Sequence, residues 1–132
     1  MNNQEFRSPL KNVRGLGSAK SGVHHFIIER LTALALIPLG LWFVISILGK
    51  LLDGKVSSLV LWLESPFNTI LLALFVFFSF WHSMGGVQVI IEDYCHKWRI
   101  PLLLINKTSH ILLGAMTLLA VISLHFQPAV VL

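Results

Sequence analysis

Apolar residues gather into three long runs, at about 26–48, 67–92 and 102–126, separated by short polar stretches. Each run approaches the roughly 20 residues that a helix needs to cross a bilayer. The pattern predicts an all-α membrane protein with three transmembrane helices, preceded by a polar arm over residues 1–20, where Pro9, Gly15 and Gly17 break regular structure. Residues 21–132 form the membrane domain. Pro38 falls in the middle of the first run and predicts a kink, which packing against neighbouring helices tolerates. Gly49 to Ser65 reads as a connection, with Trp62 as an amphipathic anchor at the membrane interface. Ser65-Pro66 has the form of an N-cap followed by a first-turn proline for the second helix, and Pro101 the same first-turn place in the third. Asn106-Lys107-Thr108-Ser109-His110 interrupts the third run, while Gly114-Ala115 offers a small surface for close helix packing.

Composition sharpens this picture. Of 132 residues, 55% are apolar and 12% charged, too hydrophobic a balance for an ordinary soluble domain. After three spans no room remains for a soluble catalytic domain, so any enzymatic role is shared with other subunits or confined to the membrane. The net charge is +4, and its placement matters more than its size. Arg7, Lys11, Arg14 and Lys20 precede the first span, and Lys97, Arg99 and Lys107 follow the second. In the first loop Lys50 and Lys55 are offset by Asp53 and Glu64. Excess Lys and Arg on the cytoplasmic side places the N-terminus in the cytoplasm and the C-terminus outside. Four scattered basic residues make no stripe for nucleic acid. The first apolar run starts too late and runs too long for a cleaved signal peptide. Cys95 is the single cysteine, which excludes an intrachain disulfide and any Cys-based metal cluster.

Candidate chemistry concentrates between Phe77 and Trp98. His82 lies within lipid-grade sequence, and His82, Gly86, Val89 and Asp93 share one helical face. Asp93 falls about 16 Å along the axis from His82. Polar groups at membrane depth are costly and turn toward protein or a functional path. His82 therefore reads either as an axial ligand to haem iron, with Gly85 and Gly86 admitting a flat macrocycle, or as a histidine hydrogen-bonded to another helix. Asp93-Tyr94 has the form of a quinone site: reducing a quinone takes two electrons and two protons, hence a hydrogen-bond donor and a proton route. The alternative is an interfacial tyrosine beside a helix-end acid. Near the first helix start, His24, His25, Glu29 and Arg30 form a second polar cluster on the same side of the membrane. Arg30 calls for an anion, a haem propionate among the candidates, or else snorkels to headgroups. Glu29, adjacent in sequence, points elsewhere around the helix. His110 and His125 read as structural, although His110 lies at about the depth of His82.

Two stretches together resemble a known family. Ser21-Gly22-Val23-His24-His25-Phe26-Ile27-Ile28-Glu29-Arg30-Leu31-Thr32-Ala33 is similar to the first-helix start of the succinate dehydrogenase hydrophobic membrane anchor subunit. His82, Gly86, Gln88-Val89 and Asp93-Tyr94 resemble the second-helix signature of that family, at matching spacing. The resemblance implies an anchor of complex II in a bacterial inner membrane, with the mitochondrial inner membrane as the alternative, paired with a second membrane anchor and carrying an iron–sulfur subunit and a flavoprotein subunit. It implies that His82 ligates haem b, with the other axial histidine from the second anchor, and that Arg30 sits near the propionates. Tyr94 would hydrogen-bond ubiquinone, with Asp93 nearby. The rival readings are a non-redox membrane scaffold or small transport component, in which His82 and Arg30 only join helices, and a self-contained cytochrome b using His82 and His110.

Overall fold

A computed structural model describes residues 20–126; the polar arm expected over residues 1–20 lies outside the described residues except for Lys20. Among the described residues four helices follow in order: α1 (Lys20–Leu52), α2 (Val56–Glu64), α3 (Pro66–Tyr94) and α4 (Arg99–Phe126). The three long ones are long and apolar enough to cross a membrane, over Gly22–Leu52, Pro66–Tyr94 and Arg99–Phe126. All three begin before the expected spans, and α1 and α3 also run past the expected ends, because a helix continues through interfacial polar residues until a turn residue stops it. Gly54 does so after α1, at φ +64°, in the left-handed region that glycine enters without Cβ strain. α1 runs unbroken through Pro38.

The long helices form a single layer with α3 in the middle. Among the described residues α1 and α4 each pack on α3 and do not touch one another. Successive helices are antiparallel: Thr32 meets His82 while Phe43 stacks on Phe75, and Asn106 meets Met84 while His125 meets Thr69. The start of α1, the end of α3 and the start of α4 thus share one end of the layer, the basic end, and α2 covers the other. A one-layer arrangement has almost no interior. Leu34, Ile37 and Leu41 of α1 are 65%, 68% and 62% exposed, surfaces that only lipid or another protein can cover.

The few buried positions are where the helices are joined. The polar run in the third span does not interrupt α4; it is the clasp to α3. Asn106, 5% exposed, donates from Nδ2 to the Met84 carbonyl at 2.9 Å. His110 donates its Nδ1–H to the Asn106 carbonyl at 2.9 Å, which leaves Nε2 to accept from Ser83 at 3.2 Å. Gly114 is buried against Phe80, so close that an added Cβ would lie 3.3 Å from the ring's Cγ. Ala115, its expected partner in the small-residue surface, is exposed. Replacing Asn106 with alanine is expected to lower stability by about 1–2 kcal/mol, from the lost interhelical hydrogen bond and the lost packing. Equilibrium unfolding in mixed micelles measures this, and an unmoved midpoint would assign the α3–α4 joint to apolar packing alone.

At the α2 end two expectations change. Trp62 is 8% exposed rather than turned to the interface, with its ring stacked on Trp42 at 5.6 Å. The cause is that residues 56–64 form a helix, which turns that ring back onto α1. Ser65 occupies the N-cap position of α3, yet its hydroxyl makes no capping bond. Thr69 and Asn68 tie the junction instead, donating to the Leu63 carbonyl at 2.7 Å and the Trp62 carbonyl at 2.9 Å. His125 Nδ1–H adds a third bond to the Leu63 carbonyl at 3.1 Å, so the end of α4 holds the same turn. α4 begins at Arg99, two residues ahead of Pro101, which still falls in the first turn, where a missing N–H costs nothing.

Candidate functional site

His82 faces α1 across the seam that α1 and α3 share. Its Nδ1 lies 3.0 Å from Thr32 Oγ1 and 3.3 Å from Glu29 Oε2. Thr32 has one hydroxyl proton, and the Ile28 and Glu29 carbonyls both stand 3.0 Å from its oxygen to take it. Toward His82, Thr32 is therefore an acceptor, and a carboxylate can only accept. Both neighbours call for a proton on Nδ1. A neutral imidazole with its proton on Nδ1 carries its free lone pair on Nε2. Among the described residues nothing is hydrogen-bonded to Nε2, and the side chain remains 38% exposed.

That arrangement fits an iron ligand. Metal-binding imidazoles characteristically donate their other N–H to a carboxylate or similar acceptor, which sets tautomer and ring angle together. The α1–α3 seam beside His82 also carries an apolar hollow of about 440 Å³ lined by Leu31, Thr32, Ala35, Phe77, Phe78 and Trp81. Of the two glycines expected to admit a macrocycle, Gly85 is taken: the Glu29 carboxylate occupies the space where a side chain at 85 would begin. Gly86 is open, with nothing within 4 Å of an added Cβ. His110, with both ring nitrogens engaged on the α3–α4 side, is not available beside His82 as a second ligand.

Arg30 diverges from Glu29, as adjacent helical residues do. Its guanidinium lies over the Phe26 ring at 4.8 Å, and among the described residues it has no carboxylate in ion-pair range. His24 is exposed and His25 half-buried; among the described residues no hydrogen bond joins either to Asp93 or Tyr94, although the antiparallel packing brings those segments to the same end. Asp93 and Tyr94 close α3 at the basic end. Tyr94 is 80% exposed and, with Cys95, Trp98, Pro101, Leu102 and Ile105, lines an open cleft of about 610 Å³.

Sequence reasoning missed Glu29 and Thr32 as partners of His82. The signal was present: a carboxylate placed inside an apolar run requires a partner. Glu29 and Thr32 also lie three residues apart, hence on one helical face.

Fold and site together define an integral membrane subunit: a single layer of three spans, joined by a few buried polar contacts, with the acid and tyrosine of α3 at one end. The profile of the family described as "Succinate dehydrogenase/Fumarate reductase transmembrane subunit" matches residues 4–124. The chain is 37% identical over 111 residues to the "Succinate dehydrogenase hydrophobic membrane anchor subunit" of Rickettsia bellii, covering 82% of this chain and 87% of that protein. The protein of the same description in Rickettsia conorii is 35% identical over 104 residues, 76% of this chain and 82% of the relative. That of Paracoccus denitrificans is 31% identical over 87 residues, 66% and 67% of the two chains. No solved structure matches significantly. The chain belongs to the succinate dehydrogenase/fumarate reductase transmembrane subunit family, among its hydrophobic membrane anchors.

Proposed function

We propose that this anchor holds haem b through His82 at its contact with a second anchor subunit, and that its basic end contributes to a ubiquinone-reduction site. The supporting observation is the state of the His82 ring: Nδ1 is hydrogen-bonded to Thr32 and stands 3.3 Å from the Glu29 carboxylate, so Nε2 is the nitrogen left for a metal. The one-layer fold accords with a partner, since one chain supplies a single ring and the exposed flanks of α1 and α3 leave room for another.

Haem, when bound, supplies a one-electron centre whose potential depends on its axial ligands and their surroundings. The residues of this chain bind and orient it. His82 presents Nε2. Arg30, without a carboxylate partner of its own among the described residues, offers a planar guanidinium suited to a propionate. At the basic end the Tyr94 hydroxyl donates to a carbonyl of the quinone, and Asp93, about 1.5 Å further back along the axis, provides a carboxylate that takes protons from water and passes them to the reduced ring. Two electrons arrive from the iron–sulfur subunit, passed on from a flavoprotein subunit where succinate is oxidised, and two protons complete the quinol. Such a complex belongs in the inner membrane of a bacterium.

The test uses the purified complex. Tyr94→Phe removes one neutral hydrogen bond of about 0.5–1.5 kcal/mol, so quinone reduction is expected to fall about 2- to 12-fold. Succinate oxidation by a soluble artificial acceptor is expected to persist. Equal loss of both activities would remove Tyr94 from the quinone site.

A further inference from the structure

We infer that Glu29 is the positioning residue of the haem ligand: its carboxylate grips the His82 Nδ1–H, fixing the ring angle and enriching Nε2 in electron density. The inference rests on the haem reading above and deepens it. Three observations meet at this point. Glu29 Oε2 stands 3.3 Å from His82 Nδ1. The other carboxylate oxygen lies against Gly85, in space that any other residue there would fill with its own side chain. Thr32 Oγ1, at 3.0 Å, closes the remaining side as a second acceptor.

The four residues form a matched pair of helical turns. Glu29 and Thr32 come from one turn of α1, His82 and Gly85 from one turn of α3. Gly85 is buried, and its missing side chain is what admits the carboxylate. A carboxylate inside a membrane span is expensive unless it is paired or hydrogen-bonded. Arg30 does not meet that need: its guanidinium lies over Phe26, and among the described residues it forms no ion pair with Glu29. Among the described residues His82 is the one His, Lys or Arg side chain within 4 Å of the Glu29 carboxylate.

A carboxylate draws an imidazole N–H more strongly than a neutral acceptor does, which makes the opposite nitrogen a better donor to metal. A better donor favours the more oxidised iron, so Glu29 holds the haem potential down.

The experiment compares complexes carrying Glu29→Gln, Gly85→Ala and His82→Ala with the unaltered complex. Glu29→Gln keeps size and an accepting oxygen but removes the charge. Haem is expected to stay bound, with its midpoint potential shifted upward and the electron paramagnetic resonance of the ferric haem changed. Gly85→Ala places a methyl group where the carboxylate lies and is expected to shift the potential the same way with Glu29 still present. Unmoved potentials and spectra in both, while His82→Ala loses haem, would overturn the role of Glu29 and leave the ligand reading standing. Haem retained unchanged in His82→Ala would remove the ligand reading and this inference with it. Should Glu29→Gln fail to assemble, the potential of the Gly85→Ala complex decides: an upward shift supports the role, an unmoved value overturns it.

Discussion

Replacing His82 with alanine is expected to abolish the reduced-haem absorbance of the assembled complex. Loss of a residue that only supports a metal ligand typically lowers affinity about 10- to 100-fold, and loss of the ligand itself removes at least that much, roughly 100-fold or more. The effect is local to the iron. Thr32 keeps its bonds to the Ile28 and Glu29 carbonyls without the ring, so α1 retains its hydrogen bonding. Glu29 loses its contact with the ring Nδ1, and some loss of assembly is expected in consequence. Haem is therefore measured per mole of assembled complex, and imidazole added to the variant is expected to restore part of the absorbance. A variant with full haem content and an unaltered spectrum would assign the axial position to another residue.

Replacing Gly114 with leucine is expected to give the largest loss of stability of any single change in the α3–α4 joint. An added Cβ alone would lie 3.3 Å from Phe80 Cγ and 3.4 Å from its Cβ, tighter than ordinary van der Waals contact. Leucine places three more carbons in the same direction, and Phe80 cannot retreat without leaving its edge contact with His110 at 6.3 Å between ring centroids. Overpacking of this kind costs about 1–3 kcal/mol, occasionally more. In a layer that lacks an interior, few other contacts offset the loss. The amount of folded protein recovered from membranes, and its unfolding midpoint in mixed micelles, are both expected to fall. Gly114→Ala serves as the graded case, with a smaller fall. Wild-type stability in the leucine variant would mean that α4 moves away from α3 at little cost.

Different features of the molecule were legible to different degrees. The spans could be read directly, because the bilayer demands length and apolarity, and both are local properties of the chain. His82 could be singled out for the same reason, since an imidazole inside a span is conspicuous without any knowledge of its neighbours. The run from Asn106 to His110 was misleading on the same grounds. Polarity marked it as an interruption, whereas Asn106 and His110 face α3 and bind it. As plain connection, residues 49–65 would leave Trp62 an interfacial anchor; the helix at 56–64 instead buries it on Trp42.

The chain by itself determined that there are three apolar helices, that one carries a histidine at depth, and that the acid and the tyrosine follow it at one end. Periodicity and rise place those residues along a helix whatever surrounds them. Only the tertiary structure decided what His82 touches. Thr32 is 50 residues from it in sequence, and the contact depends on how far α1 is rotated and shifted against α3. Helices apolar on every side carry no stripe that reveals such a rotation, because lipid and protein neighbours are equally welcome to the same leucines. Packing of small residues and bonding of the few polar ones set it, and that is how Gly85, rather than remaining open like Gly86, came to hold the carboxylate of Glu29.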